Sequence, residues 1–391
     1  VRVPGPRTVA DLKAVDRALG ILEKARKPVI VCGQGALASR AWGPLAALAE
    51  RYGIPVGTTI NGKGAFDETH PLSLGVTGAR GGTRYSNGRV LEADCIFFIG
   101  CSTDSAGTDG WKIPMPGSGQ VLIHLDIAGE ELGNNYPDAL PLMGDAKATL
   151  EAMLDRGRPF DTGLAASRAR ENRSARETFM AGLVPCLSRE GVPVHPMRFV
   201  GELQKALPEN ALVVADPGIS AVYASAFLKL KGPGRKWICN FAVGALGYGM
   251  PAGIGASYAH DGPVVVLTGD GSFGFTAGEL ETLRRSGRDV KVVLFNNECF
   301  GWIRATSRFS GGSGRFATDF SCTDYPAVAR GFGVEALRVE DSSALAPALE
   351  GMFQSRGPVF MELPVMPEDE QVPPVPEWAE AAARLGMDCP Y

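Results

Sequence analysis

Short apolar runs that stop at glycine or a polar residue, each followed by a stretch of helical spacing, recur along the chain. Pro28–Cys32 reads as a strand entering Gly33-Gln34-Gly35, after which Leu45, Leu48 and Ala49 keep helical periodicity. Residues 95–100 and Val121–Asp126 read as further strands, and a second set is expected at Leu212–Ala215, 264–267, 292–295 and 359–363. Strands that alternate with helices predict parallel sheets, so the fold class is α/β with two blocks, residues 1–158 and 193–374. The connector, 159–192, carries a polar stretch at 161–176 rich in Arg, Ser and Glu. It reads as an exposed helix or linker whose charges form a solvated face. Past Pro373 and Pro374 the tail, 375–391, has a short helix over 377–385 that either caps the second block or covers a site.

One unit carries specific chemistry. The apolar run 264–267 feeds Gly269-Asp270-Gly271, a helical stretch follows, and the run 292–295 ends at Asn296-Asn297. Ligands of parallel α/β sheets bind at the carboxyl ends of the strands. A carboxylate, an amide oxygen and glycine-rich backbone meeting there suit a divalent cation holding a diphosphate. Gly-Asp-Gly alone is a common turn. The full strand–turn–helix–strand unit, with 24 residues (272–295) between Gly271 and Asn296, is a far more specific signal.

That unit resembles the thiamin-diphosphate binding motif. The resemblance implies that Asp270 and Asn297 coordinate Mg²⁺ through side-chain oxygens and Cys299 through its backbone carbonyl. Diphosphate oxygens and a water would complete the shell. The same reading assigns Gly269, Gly271, Ser272, Phe273, Phe300 and Gly301 to the cofactor cradle. Gly218, Ile219 and Ser220 of ADPGISA would hold phosphate oxygens, the alternative being an ordinary strand-to-helix turn. Segment 244–256, GALGYGMPAGIGA, resembles the part that supports the thiazolium ring. Ala245 belongs to it, and Leu246 matches the apolar residue that bends the cofactor; plain core packing is the alternative. The first block, with PVIVCGQGA, GTTINGKGAFDETHPLSLG and DCIFFIGCSTDS, resembles the central, Rossmann-like domain of acetohydroxyacid synthases and their relatives. Two three-layer domains with parallel sheets are therefore expected, a central one and a thiamin-diphosphate-binding one.

Composition narrows the partners. With 391 residues and a net charge of −4, the chain has room for two or three domains and shows no basic stripe for nucleic acid. No uninterrupted apolar span suits a membrane, and the first residues lack the apolar core of a signal peptide. Eight scattered cysteines without metal-like spacing fit reduced thiols in the cytoplasm. The four histidines, His70, His124, His195 and His260, form no catalytic set, and His124, inside an apolar strand, reads as a satisfied core residue.

The family's chemistry implies decarboxylation of a 2-oxo acid and ligation to a second carbonyl, as in acetolactate synthase. A 2-hydroxyacyl-CoA lyase and a non-catalytic cofactor- or nucleotide-binding regulatory subunit stand as alternatives. Gly301-x-Ile303-Arg304 resembles acetohydroxyacid synthases and, more closely, glyoxylate carboligases. Trp302 is a candidate for lining the substrate pocket. Arg304 would either receive a substrate carboxylate or form an ion pair. FAD is a further candidate cofactor of the first block. There Arg80 stands where relatives often carry a histidine, and Arg80 and Arg84 are candidates for phosphates of FAD or of a coenzyme A ester. Full-length relatives also have a pyrimidine-binding domain that supplies a Glu, and no segment here resembles it. The expectation is a separate pyrimidine-binding subunit in an α₂β₂ or larger assembly.

Overall fold

In the computed structural model, which describes residues 6–241, 243–312, 315–367, 369–387 and 391, the chain forms two compact units. One runs through Ala181 and includes Leu230–Arg235; the other holds Gly182–Lys229 and Lys236–Tyr391. Residues 1–5, the start of the first block, lie outside the described residues.

The first unit is built on β1 (Pro28–Cys32), β2 (Val56–Thr58), β3 (Ser73–Val76), β4 (Cys95–Ile99), β5 (Val121–Asp126) and β6 (Leu140–Met143). They form one six-stranded sheet in the order β3-β2-β1-β4-β5-β6, every pair parallel. Alternate residues of β1 and β4 feed opposite cores. Ile30, Cys32, Phe97 and Ile99 pack with Leu22, Leu45 and Leu48, while Val29, Val31, Ile96 and Phe98 pack with Val90 and Tyr136. A sheet buried on both faces explains why these strands are apolar throughout instead of alternating. Each fully buried Leu or Ile contributes roughly 1.5–3 kcal/mol. His124 is 2% exposed and its Nε2 lies 2.8 Å from the Cys101 carbonyl, the satisfied core histidine that was expected.

The connector is helical and mostly exposed, as expected, but Arg168, Asn172 and Arg176 depart from the solvated-face reading. A helix spans Thr162–Leu187. Arg168 on it is only 7% exposed; its guanidinium donates to the carbonyls of Tyr52, at 2.8 Å, and Ala25. Those carbonyls end the helices Trp42–Tyr52 and Leu12–Lys24, so a single cation caps two helix C-termini. Asn172 donates to Pro71, and Arg176 to Glu68 and His70, again through backbone oxygens.

The second unit carries β7 (Leu212–Ala215), β8 (Trp237–Cys239), β9 (Val264–Gly269), β10 (Val290–Asn296), β11 (Glu335–Arg338) and β12 (Val359–Pro364). Their order is β11-β12-β10-β9-β7-β8, also wholly parallel. The expected fold class, two parallel-sheet α/β domains, is borne out. The register sets Ala215 beside Leu267 and Phe295 beside Gly269. The loops after β7, β9 and β10 therefore leave the sheet at one edge. Among the described residues no helix is long and apolar enough to cross a membrane.

Candidate cofactor site

Gly269 ends β9 and Asp270 opens the helix Asp270–Thr276. Asp270 is 4% exposed. Its Oδ1 accepts from the amide of Gly271 at 2.7 Å and its Oδ2 from the amide of Asn297 at 3.2 Å. The carboxylate at the end of one strand thus touches the asparagine at the end of the next. Burial pushes its carboxyl up to about 7, against the amides of Gly271, Glu298, Asn297 and Cys299, which pull it down. A carboxylate this buried, held by backbone amides, is the environment a hard divalent ion would relieve.

The loop after β10 is braced from outside. Glu298 adopts a left-handed φ of 54°, uncommon for a residue with a side chain. Phe300 N donates to Thr318 O at 2.8 Å and Phe320 N to Glu298 O at 2.8 Å, which zips the loop to residues 318–320. Asn297 Oδ1 accepts from Cys299 N at 3.3 Å, turning its amide oxygen back into the loop. The Cys299 thiol lies against Arg304, leaving its backbone carbonyl as the oxygen this residue can offer a cation. The donor set of carboxylate, amide oxygen and carbonyl fits Mg²⁺. Gly271 is needed because a Cβ there would lie 2.9 Å from the Phe300 ring.

Gly218 has φ of 146° and precedes the helix Ile219–Phe227, whose N-terminus has no capping side chain; Ser220 is buried in its first turn. Ser272 and Phe273 are buried in the first turn after Asp270. Ala245 and Leu246 lie in an exposed loop ahead of the helix Gly249–Ser257. Leu246 is 38% exposed, more than core packing accounts for. The structure thus places the predicted residues in the four loops that leave β7, β8, β9 and β10 at one sheet edge.

Two candidates have neighbours that sequence reading did not foresee. Arg304 is 6% exposed, with Nε on Asp369 Oδ2 at 2.9 Å and its other nitrogens 3.5 Å from Asp319 and 3.7 Å from Glu370. Of the two readings of Arg304, this geometry favours the ion pair. Trp302 packs on Trp378 of the tail helix Pro376–Arg384 at 4.4 Å between ring centroids, and Phe309 contacts the same Trp378 ring at 5.5 Å. That favours packing over pocket lining for Trp302, and a capping role for the tail. Asp216 and Thr268, which touch both the glycine loop and β9, escaped the sequence reading.

In the first unit the glycines at the sheet edge serve close backbone packing. A Cβ on Gly33 would lie 2.2 Å from Gly100 O, and one on Gly78 2.4 Å from Ala106 O. The FAD reading draws no support from them.

Residues 15–153 match the family described as thiamine pyrophosphate enzyme, central domain, and residues 216–363 match the thiamine pyrophosphate enzyme C-terminal TPP binding domain. The chain belongs to the thiamine pyrophosphate enzymes. It is 30% identical to an acetolactate synthase of Arthrospira platensis, over 96% of this chain and 65% of that protein. It is 30% identical to a probable acetolactate synthase large subunit of Methanocaldococcus jannaschii, over 96% and 64%. With the acetolactate synthase large subunit of Parasynechococcus marenigrum it shares 31% over 96% and 60%. The chain thus spans 60–65% of the length of these relatives.

Proposed function

We propose that this chain is the catalytic subunit of a thiamin-diphosphate-dependent enzyme that decarboxylates a 2-oxo acid and ligates the product to a second carbonyl, in the manner of acetolactate synthase. The observation that carries this reading is the contact between the buried Asp270 carboxylate and Asn297 across the ends of β9 and β10. Asp270, Asn297 and the Cys299 carbonyl would hold Mg²⁺. The turns at Gly218–Ser220 and Gly271–Phe273 would receive the diphosphate, and Leu246 would support the thiazolium. When bound, the cofactor supplies the electron sink for loss of CO₂. The protein's own share is to hold the metal, fix the cofactor's shape and keep water out.

A pyrimidine-binding domain on a separate subunit would complete the site and supply the Glu that activates the cofactor, within an α₂β₂ or larger assembly. Exposed apolar side chains at and near the candidate thiazolium loop support this: Val243 is 84% exposed, Phe275 66% and Leu246 38%. Two relatives are called large subunits, a name that implies a partner subunit without saying what it binds. Calorimetry tests the core of the proposal: Mg²⁺-dependent binding of thiamin diphosphate is expected in the wild type and is lost in Asp270→Ala. Unchanged affinity in that variant rejects the metal assignment. Assays with pyruvate and glyoxylate test the assembly. Robust turnover by this chain alone rejects the partner requirement.

A further inference from the structure

We propose that Asp216 is a positioning residue of the cofactor cradle, tying the loop that carries Leu246 to the strand that carries Asp270. This deepens the thiamin-diphosphate reading above and rests on it.

Asp216 follows β7 and is 1% exposed. Its Oδ1 accepts from Gly249 N at 2.9 Å and its Oδ2 from the Thr268 hydroxyl at 2.7 Å. The amides of Gly247 and Tyr248 also support the carboxylate. Gly249 opens the helix Gly249–Ser257, which has no capping side chain of its own. Asp216 is therefore the anion at that helix N-terminus, provided from 33 residues away. The approach requires glycine: a Cβ on Gly249 would lie 2.7 Å from Asp216 Oδ2. On the other side of the loop, Gly247 has φ of 81°, and a Cβ there would lie 2.9 Å from Phe275 Cβ and Thr276 Cγ2. The three residues that follow Leu246, Gly247 to Gly249, are thus fixed by Asp216 and by the helix Asp270–Thr276. Thr268 stands two residues before Asp270, so one buried carboxylate sets the spacing between the thiazolium-facing loop and the metal-facing strand end.

A carboxylate that only caps a helix would affect stability. One that positions the cradle also changes how the two ends of the cofactor are recognised. The test compares thiamin diphosphate with inorganic pyrophosphate, each with saturating Mg²⁺, by calorimetry on the full chain. Asp216→Asn keeps the side-chain volume and replaces one acceptor by a donor. We expect it to weaken thiamin diphosphate at least about tenfold and pyrophosphate by less than about threefold, the scale of one lost charge-assisted hydrogen bond. Asp270→Ala, in contrast, weakens both ligands. A folded Asp216→Asn protein in which both affinities fall alike, or neither falls, overturns the proposal. If that variant does not fold, Thr268→Val removes one of the two ties and is expected to show the same split; its absence there overturns the proposal equally. A wild-type chain that binds pyrophosphate but not thiamin diphosphate refutes the functional reading itself, a result that does not depend on Asp216.

Discussion

Replacing Arg304 with methionine separates the two roles open to this residue. In the structure Arg304 and Asp369 are both buried, 2.9 Å apart, and the remaining oxygen of Asp369, Oδ1, is buried with no hydrogen-bond partner among the described residues. Removing the guanidinium strands a carboxylate in the interior, which typically costs about 3–5 kcal/mol. Arg308, 3.5 Å from Asp369 Oδ2 and 39% exposed, offsets part of this. The lower end, about 3 kcal/mol, is the expectation. The double variant Arg304→Met/Asp369→Leu has no charge to strand and is expected within about 1 kcal/mol of wild type. Urea unfolding of the two single variants and the double gives the coupling energy directly. The reasoning fails if Arg304→Met loses less than about 1 kcal/mol while raising the KM of the reconstituted enzyme for its 2-oxo acid. That pair of results returns Arg304 to the substrate.

Stability near pH 5 depends on His195, which is 8% exposed and whose Nδ1 accepts from Met197 N at 3.2 Å to cap the helix Pro196–Ala206. Burial, with the charge of Arg189 adding to it, lowers its ring from 6.5 to about 4. Because the folded pKa lies below the unfolded one, the contribution is complete above 6.5 and is lost as pH falls toward 4, by up to about 3 kcal/mol. Urea midpoints across that range should fall more steeply for wild type than for His195→Asn, a cap that cannot titrate; parallel curves contradict this. Trp378→Ala should lower stability by about 3 kcal/mol through the lost contact with Trp302 and Phe309. If the tail caps the domain instead of covering the site, Mg²⁺–thiamin diphosphate affinity stays within about threefold of wild type, and a larger loss in calorimetry favours the cover.

What was legible in the sequence was what the chain encodes locally. Strands β1, β4, β5, β7, β9, β10 and β12 are built around buried apolar runs and were placed, β7 with only four residues. Strands β2, β3, β6, β8 and β11 have three or four residues each, with glycine in β2 and β3 and partly exposed positions in β6 and β11. Nothing in such short stretches outweighs turn signals. Asp270 and Asn297 were legible because adjacent parallel strands put their ends side by side, so a spacing along the chain becomes a distance in space. Arg168 was misread because its partners are helix-ending carbonyls, which leave no trace in composition. Arg304 and Asp369 are 65 residues apart, and their pairing follows from how the helix Gly301–Phe309 meets the segment after β12.

Hydrogen bonds between the chain's own residues shape the candidate site. Asp216 holds Gly249 and Thr268, Asp270 holds Gly271 and Asn297, and Thr318 holds Phe300. A cradle fixed in this way needs little ordering when a ligand arrives, so binding energy is not consumed in closing loops. What the cradle lacks is relief for the buried Asp270 and cover for the exposed apolar side chains at Val243 and Phe275. On the proposed reading, a cation would answer the first and a further apolar surface the second. They are independent: Mg²⁺ with diphosphate would answer the charge while leaving the apolar rim wet. The metal-dependent affinity of the chain for diphosphate should therefore be present before any partner binds, and turnover should appear only after the rim is covered.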